Sequence, residues 1–208
     1  MYCPLCSGKA SCEIPIKSRL YYRCKCCSSI YMDKRHYPDA TEEKERYIQH
    51  NNDVTDPGYQ KFIAPLVSAV LARFNCSHNG LDYGSGLNSA VTYLLRNKEF
   101  NIEMYDPFFR NQPYLLNRQY DYIVCCEVME HFHYPKKEFL KLRSMLKKGG
   151  VLICMTELLT DEVDFENWYY KNDFTHVFFY HPKSLEYIKN EFSFTKLLIN
   201  NRLIQFVV

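Results

Sequence analysis

The stretch LDYGSGLN, residues 81–88, decides the fold of this chain. Its first residues end a short predicted strand, two glycines follow, and a helical pattern begins directly afterwards at Ser89. Glycines at such a junction let the backbone turn sharply and approach a ligand without an intervening side chain. Loops of this kind also bind dinucleotides, so the glycine pair alone is weak evidence of which ligand is bound. The stretch predicts an α/β domain with a ligand at the end of its first strand.

Short strands and helices alternate around this loop. A helical pattern begins at Tyr59, and further helices are predicted over residues 89–96, 135–146 and 182–190. Strands are predicted over residues 80–83, 101–105, 121–126 and 151–156. Such alternation implies a parallel sheet with right-handed crossovers. Two final apolar runs join near Asn200 and Asn201, which indicates a hairpin that adds one antiparallel strand. The predicted fold class is therefore α/β, a Rossmann-like doubly wound sheet with a C-terminal antiparallel hairpin.

The cysteines mark a separate N-terminal unit. Two C-x2-C pairs stand seventeen residues apart, with the ligand spacing of a zinc ribbon: Cys3, Cys6, Cys24 and Cys27. Cys26 competes with Cys27 for the fourth position. A closed site has no open coordination position, so the zinc is expected to be structural and to be required for folding of the segment. The predicted organisation is a zinc ribbon over residues 1–37, a connector over 38–58 and the α/β domain over 59–208.

Composition narrows the class of protein. The 208 residues are 47% hydrophobic and 24% charged, ordinary values for a soluble globular protein. No run of about 18 apolar residues occurs, so no membrane span is expected. The start of the chain lacks the basic and apolar segments of a secretory signal. We therefore expect a cytoplasmic location, where cysteine-rich segments indicate metal or redox chemistry before disulfides.

The charge is uneven along the chain. The net charge is +2 overall, yet residues 1–36 hold seven Lys or Arg against Glu13 and Asp33. Four thiolates around one Zn²⁺ would carry a net negative charge and so reduce the excess of positive charge in this segment. The predicted ribbon is mildly basic, which suggests an anionic partner.

Four pieces of sequence resemble the class I S-adenosylmethionine-dependent methyltransferases over about residues 58–208: LDYGSG (81–86), Asp106 after the second strand, YDYIVCCEVMEHF (120–132) and LKKGGVLICMT (146–156). The resemblance implies that Gly84 and Gly86 approach the methionine part of the cofactor and Asp82 its amino end. It further implies that Asp106 binds the ribose and that Glu127 lies beside the cofactor. Asn88 stands where the family has a third glycine. A nicotinamide-dinucleotide fold is the competing interpretation, although the chain has no GxGxxG.

The chain is shorter than the family pattern after Asp106. Members of the family usually fit a helix, a strand and another helix between this position and the next strand, but only fourteen residues, 107–120, are present here. A single βαβ crossover already takes about 10–12 residues or more. The usual third strand is therefore predicted to be missing or vestigial. We expect Phe108, Leu115 and Leu116 to form a shallow adenine side of the pocket.

Candidate chemical groups follow the buried strand at residues 121–126. The pattern E-x-x-E-H, with a later histidine in DFTHVFF, supplies Glu127, Glu130, His131 and His176. Such oxygen-rich sets suit Mg²⁺ or Mn²⁺ better than Zn²⁺. The pattern is similar to the ubiquinone-biosynthesis O-methyltransferases and the small-RNA 3′-terminal 2′-O-methyltransferases. That resemblance implies that these four residues bind a divalent cation and act in catalysis.

The sequence thus predicts metal-assisted O-methylation of a vicinal diol or catechol-type acceptor, a small molecule or RNA. Metal-free use of His131 or His176 as a general base is an alternative, as is a structural role. An RNA-directed enzyme or nucleic-acid-binding module, and an inactive methyltransferase-like scaffold, also remain open. The aromatic-rich residues 165–180 are expected to form a pocket wall or core, and residues 47–51 to cover the pocket from the other side.

Overall fold

A computed structural model describes residues 1–49 and 53–208 of the chain. Its helices are α1 (Ala40–Ile48), α2 (Pro57–Leu71), α3 (Ala90–Arg96), α4 (Pro135–Ser144) and α5 (Pro182–Glu191). Its strands are β1 (Ala10–Ile16), β2 (Arg19–Cys24), β3 (Ile30–Met32), β4 (Asn79–Tyr83), β5 (Asn101–Tyr105), β6 (Tyr120–Cys126), β7 (Leu146–Met155), β8 (Phe178–Phe179), β9 (Lys196–Asn200) and β10 (Leu203–Val207).

The main sheet has the strand order β5-β4-β6-β7-β10-β9. Strands β5, β4, β6 and β7 are parallel, and β10 is antiparallel to both of its neighbours. In the hairpin turn, Asn201 has a φ of +53°, which asparagine tolerates better than most residues. The predicted Rossmann-like α/β sheet and its C-terminal antiparallel hairpin are confirmed.

The third strand of the usual doubly wound sheet is missing. Residues 107–119 contain a 3₁₀ helix, Pro113–Asn117, and no strand, so the sheet ends at β5. Leu115 in that helix is fully buried, and its carbonyl accepts a 2.8 Å hydrogen bond from the Tyr120 hydroxyl. The prediction of a shortened third-strand region is confirmed.

Helices cover both faces of the main sheet. On one face, α2 and α3 pack on the β6 and β7 side chains with Ile63, Leu66 and Leu95 fully buried. On the other face, α4 and α5 contribute Phe139 and Leu185 to a second core. Because both faces are covered, the inner strands are apolar along most of their length.

The N-terminal segment forms a second sheet that includes part of the C-terminal half. Strands β1, β2 and β3 form an antiparallel meander, and β3 pairs with β8 in the register Ile30–Phe179 and Tyr31–Phe178. The first 37 residues are thereby tied to a strand far along the chain. The boundaries at residues 37 and 58 stay predictions. Helix α1 and the start of α2 lie between them.

None of the helices in residues 1–49 and 53–208 combines the length and apolar character needed to cross a membrane.

Candidate active site and cysteine cluster

Four cysteine sulfurs converge between the turn before β1 and the turn after β2. The sulfurs of Cys3, Cys6, Cys24 and Cys27 all lie within 4.8 Å of one another. Two of these separations are 3.7 Å, from Cys3 to Cys27, and 3.3 Å, from Cys6 to Cys24. A Zn–S bond of about 2.3 Å places tetrahedral thiolates about 3.8 Å apart. The cluster therefore has the dimensions of a four-cysteine zinc site.

The two cysteine turns have the same backbone geometry. The Ser7 amide donates to the Cys3 carbonyl at 3.0 Å, and the Ser28 amide donates to the Cys24 carbonyl at 3.2 Å. Both serines have a φ near +60°. Cys26 is exposed and lies outside the cluster, so the choice of Cys27 as the candidate ligand agrees with the geometry.

Interactions within the cluster shift the pKa values of its thiols in opposite directions. A hydrogen bond from Cys3 lowers the pKa of Cys27 to about 5. Burial, as the largest cause, raises the pKa of Cys6 to about 12. Thiolates bind metals and thiols do not, so metal binding at this cluster would release protons.

A cavity of about 800 Å³ lies at the carboxyl ends of β4, β5 and β6. It brings together most of the residues that the sequence singled out for the cofactor and the chemistry: Asp82, Gly84, Gly86, Asn88, Asp106, Phe108, Glu127, His131 and His176. Ligands of open α/β sheets bind in this crevice.

Both loop glycines have the left-handed conformation that glycine favours. Gly84 has a φ of +80°, and a Cβ atom there would lie 2.5 Å from the Val128 side chain. Gly86 has a φ of +62°, and a Cβ atom there would meet nothing within 4 Å. Gly84 thus permits close packing against the β6 loop, whereas Gly86 leaves open space at the cavity.

Asp106 organises the loop that follows β5. One carboxylate oxygen accepts the Gly86 amide at 3.0 Å, and the other accepts the amides of Phe108 at 2.8 Å and Phe109 at 3.0 Å. A carboxylate has about four acceptor positions, so it retains capacity for a ligand hydroxyl. Asp106 therefore ties the glycine loop to the end of β5 at the position expected for the ribose.

Asp82 holds the start of α3. Its carboxylate accepts hydrogen bonds from the hydroxyls of Ser89, the N-cap residue, and Thr92, the latter at 2.7 Å. Burial raises the pKa of this carboxyl. The side chain is buried but borders the cavity, beside the glycine loop.

Glu127 is held at the end of β6 by contacts from distant parts of the chain. Its φ of +51° is uncommon for a residue other than glycine. Its carboxylate lies 2.9 Å from Arg202 and accepts the Tyr170 hydroxyl at 3.1 Å. Burial, ahead of repulsion from Glu130, raises its pKa to about 8.

Glu130 is fully buried behind the cavity wall. Its carboxylate accepts hydrogen bonds from Thr156, at 3.0 Å, and from the Tyr170 hydroxyl. Burial raises its pKa to about 7. One tyrosine hydroxyl thus contacts both acidic residues of the E-x-x-E-H motif.

The two predicted histidines lie against each other, with ring centroids 4.8 Å apart. The Nδ1 atom of His131 is 2.9 Å from the Thr175 carbonyl, and that of His176 is 2.7 Å from the Tyr170 carbonyl. A carbonyl oxygen accepts only, so each neutral ring carries its proton on Nδ1 and presents Nε2 as the basic nitrogen. Backbone carbonyls commonly orient metal-binding histidines in this way.

Three of the four predicted cation ligands come together. Ligand atoms of Glu130, His131 and His176 lie within 4.8 Å of one another, a set that fits a cation. Within the part of the chain that the structure describes, Glu127 does not join this set. Its carboxylate is engaged by Arg202, and Glu127 as a fourth ligand stays a prediction.

Helix α1 contributes side chains to the cavity lining. The Tyr47 ring packs edge-on against His131, at 5.2 Å between centroids, and Arg46 forms a 2.8 Å ion pair with Asp173. The expectation that residues 47–51 cover the pocket therefore holds for Tyr47 and Ile48, which line it. His50 and Asn51 lie outside the described residues.

The aromatic stretch at residues 165–180 is mainly core. Tyr170, Phe178, Phe179 and Tyr180 are buried, while Tyr169 and Phe174 are exposed. The two exposed rings border a smaller cavity of about 390 Å³, which shares Asp173 and His176 with the main cavity.

The wall beyond Asp106 differs from the one predicted. Phe108 lines the cavity, but Leu115 and Leu116 do not, because the 3₁₀ helix turns Leu115 into the core and Leu116 packs against it. Side chains from β4, β5 and α4 line this part of the wall instead: Tyr83, Tyr105, Glu138 and Lys141.

Three residues of the site escaped the sequence analysis: Tyr170, Thr156 and Arg202. Each contacts Glu127 or Glu130 from a distant segment of the chain. Tyr170 is 43 residues from Glu127 in the sequence, and Arg202 is 75 residues from it. The aromatic stretch pointed to the region of Tyr170 but did not single it out.

Known structures share this fold. The 1,6-didemethyltoxoflavin-N1-methyltransferase of Burkholderia thailandensis, solved with 1,6-didemethyltoxoflavin and S-adenosylhomocysteine, superimposes with a TM-score of 0.58 at 11% identity, over 94% of this chain and 98% of that one. An O-methyltransferase family protein from the same organism gives 0.56 at 11% identity, over 83% of this chain and 64% of that one. A SAM-dependent methyltransferase from Archaeoglobus fulgidus gives 0.56 at 17% identity, over 73% and 76%.

The chain spans less than two thirds of the length of the O-methyltransferase family protein. No curated protein matches the sequence. A family profile described as a methyltransferase domain matches residues 56–198, well over half of the chain. The chain therefore belongs to the methyltransferase-domain family, with the fold of the class I S-adenosylmethionine-dependent methyltransferases.

Proposed function

We propose that the enzyme transfers the methyl group of S-adenosylmethionine to a hydroxyl of a vicinal diol or catechol-type acceptor, assisted by a divalent cation. The observation that carries this proposal is the convergence of Glu130, His131 and His176 within 4.8 Å. Both histidines line the cavity that also contains the glycine loop and Asp106.

The cofactor side of the proposal rests on the loop between β4 and α3. Gly86 leaves open space beside Asp106, whose carboxylate suits ribose hydroxyls. Asp82 borders the same end of the cavity. We assign Gly84 and Gly86 to the methionine part, Asp82 to its amino end and Asp106 to the ribose. Glu127 lies beside the cofactor, held there by Arg202.

The acceptor side rests on the two histidines. His176 borders both cavities, so an acceptor in the smaller cavity can place its hydroxyl near the cofactor in the larger one. A cation bound by Glu130, His131 and His176 would supply Lewis acidity that favours loss of the hydroxyl proton. With both Nε2 atoms bound to the cation, that proton would leave to solvent. In the metal-free alternative, the Nε2 atom of His131 or His176 would take up the proton instead.

The transfer itself needs alignment more than activation. The acceptor oxygen forms a bond to the methyl carbon while the carbon–sulfur bond breaks. The electron pair of the broken bond stays on sulfur, which yields S-adenosylhomocysteine. The sulfonium is already a good leaving group. Rigid placement of both reactants is therefore the main contribution that the protein makes.

We assign a structural zinc ion to Cys3, Cys6, Cys24 and Cys27. Sulfur separations close to those of a tetrahedral thiolate site support the assignment. The ion would stabilise the sheet that carries β8, two residues after His176. A cytoplasmic location remains part of the proposal, since reduced thiols are required.

A second candidate is a methyltransferase that acts on RNA. Tyr134 lies at the cavity, its ring is half exposed, and the ammonium groups of Lys34 and Lys137 lie 5.4 and 5.1 Å from the ring centroid. Exposed aromatic rings among cations bind single-stranded nucleic acids by stacking and charge. Binding of an oligoribonucleotide that weakens steeply with salt, and weakens further in Tyr134→Ala, would favour this candidate.

Element-resolved anomalous diffraction from a Mn²⁺-soaked crystal with S-adenosylhomocysteine tests the main proposal. We expect zinc at the cysteine cluster and manganese among Glu130, His131 and His176. Cofactor in the cavity with no manganese there would leave a methyltransferase without the proposed cation.

Solution measurements with catechol and RNA 3′-diol acceptors complete the test. His131→Ala and His176→Ala are each expected to lower turnover about 100-fold or more while nearly preserving S-adenosylhomocysteine affinity. The control is His78→Ala, since His78 lies in the turn before β4, outside the cavity lining. Equal loss of turnover and cofactor affinity would contradict the assigned role of the histidines.

A further inference from the structure

The missing third strand leaves a stretch of cavity wall that other elements must fill. Tyr83 ends β4 and Tyr105 ends β5, and they are register partners in the sheet. Their rings stack, with centroids 5.4 Å apart. Glu138 and Lys141 reach the same stretch of wall from α4. This wall is therefore made of two aromatic rings and one acid–base pair.

These polar groups form one hydrogen-bonded cluster. The Tyr83 hydroxyl donates to one Glu138 carboxylate oxygen. The Lys141 ammonium lies 3.3 Å from the Tyr83 oxygen and 3.3 Å from each carboxylate oxygen. Burial raises the pKa of Tyr83, so its hydroxyl keeps the proton that it donates. Glu138 is thus held in a fixed orientation at the cavity.

The cluster lies next to the group assigned to the ribose. Asp106 directly follows Tyr105, and the contacts run without a break from Tyr105 to Tyr83 and on to Glu138. A base attached to a ribose at Asp106 has to lie on one side or the other of that sugar. The glycine loop leads into α3 on one face of the sheet, whereas the rings of Tyr83 and Tyr105 belong to the core on the α4 face.

The surfaces around this position suit a flat ring. Val128 and Phe132 from the loop after β6, and Phe108 from the loop after β5, line the same cavity. Val128 packs closely over Gly84, and the Phe132 ring meets the Tyr83 ring edge-on at 6.4 Å. A planar heterocycle can pack on these apolar surfaces and present its polar edge to the cluster.

We propose that Glu138, oriented by Tyr83 and Lys141, accepts a hydrogen bond from the exocyclic amino group of the cofactor's adenine, in place of the contacts that a third strand would provide. A carboxylate has about four acceptor positions, and Tyr83 and Lys141 leave part of that capacity for the base. Ionised acceptors form the stronger hydrogen bonds. This inference rests on the proposed use of S-adenosylmethionine and adds the residues that recognise its base.

The test compares two ligands that differ at one group. S-Adenosylhomocysteine carries the amino group, and S-inosylhomocysteine carries a carbonyl oxygen there, which would face the carboxylate as a second acceptor. Calorimetric titration of the full chain should show at least tenfold tighter binding of the adenosyl compound. Glu138→Gln should bring the two affinities to within about threefold, because an amide can accept from the amino group or donate to the carbonyl.

Two further variants separate recognition from folding. Tyr83→Phe removes only the hydroxyl that orients Glu138, and it should reduce the discrimination in the same direction. Glu191→Gln breaks an ion pair with Lys136 at the end of α5, away from the cavity lining, and should leave the discrimination unchanged. Thermal unfolding of each variant establishes that the sheet is intact.

The outcomes are distinct. Equal affinity of the wild-type protein for both ligands, or an equal loss of both affinities in Glu138→Gln, would overturn the assignment of Glu138 while leaving cofactor binding in place. Failure of the wild-type protein to bind either ligand would overturn the proposed function itself.

Discussion

The guanidinium group of Arg202 lies 2.9 Å from the carboxylate of Glu127 and 3.0 Å from that of Glu157. Arg202 occupies the turn of the C-terminal hairpin, so the end of the chain holds the residue that follows β6. Its guanidinium carbon also lies 4.7 Å from the centre of the Phe62 ring. The hairpin therefore completes the site as well as the sheet.

Removal of this arginine should destabilise the protein through Glu127. Arg202→Met leaves the Glu127 carboxylate without its cation, and the pKa of Glu127 is about 8 with the arginine present. At pH 9, where this carboxyl is mostly ionised in the wild-type protein, we expect a cost of about 1 kcal/mol of unfolding free energy. Urea unfolding measures this cost. Lys189→Met, which breaks the exposed pair with Glu186, should cost under about 0.5 kcal/mol. Equal losses of unfolding free energy in the two variants would show that the Arg202–Glu127 ion pair stabilises the protein no more than an exposed one.

The buried acids predict a pH dependence of stability. The pKa of Glu130 is raised to about 7 in the folded protein, above the ordinary value of 4.5 that applies to the unfolded chain. Between these values the folded state binds more protons, so its stability falls as pH rises from about 4.5 through 7. Without added divalent cation, Glu130→Gln should reduce the loss of stability between pH 6 and pH 8 by about 1 kcal/mol.

Urea titrations at the two pH values measure this difference. Glu103→Gln is the control, because Glu103 forms an exposed 3.5 Å pair with Arg118. A pH slope that Glu130→Gln leaves unchanged would assign the dependence to other groups.

The cysteine cluster predicts a selective effect of substitution. Cys27→Ser should reduce bound zinc to well under one equivalent and lower the thermal midpoint, because zinc binding and folding of such segments are coupled. Cys26→Ser alters an exposed neighbour outside the cluster and should retain one zinc. Metal analysis by emission spectroscopy, combined with thermal melts, distinguishes the two. Loss of zinc in both variants would contradict the ligand assignment.

The two loop glycines should differ in their tolerance of alanine. Gly84→Ala places a Cβ atom 2.5 Å from Val128 at a φ of +80°, so clash adds to backbone strain. Gly86→Ala meets open space at a φ of +62°, leaving backbone strain of about 1–2 kcal/mol. The thermal midpoint should therefore fall further in Gly84→Ala than in Gly86→Ala. The Cβ atom of Gly86→Ala would occupy cavity space assigned to the cofactor, so this variant should lower S-adenosylhomocysteine affinity more than tenfold. Unchanged affinity in Gly86→Ala would contradict that assignment.

Local pattern was sufficient to predict the sheet and the cofactor loop. The glycine loop, the buried β6 run and the Asn200–Asn201 turn each carry their signal within a few neighbouring residues. The missing third strand was also predictable, because chain length between Asp106 and β6 limits what can be built there.

The partners of the acidic residues were not predictable in this way. Glu127 and Glu130 were found from their motif, but the contacts with Tyr170 and Arg202 depend on how distant segments pack. The sequence predicted Leu115 at the cavity wall, whereas the structure has Glu138 there, and this difference has the same cause. A short 3₁₀ helix turned the leucine inward, and α4 filled the space from the other side.

The pairing of β3 with β8 has a consequence for synthesis of the chain. The N-terminal meander emerges from the ribosome early, but its fourth strand, at Phe178 and Phe179, follows almost 150 residues later. Until then the edge of β3 is exposed, and unpaired strand edges favour association between chains. Contacts over such sequence distances also slow folding. Early capture of zinc would keep the nascent N-terminus ordered while the remainder of the polypeptide is translated.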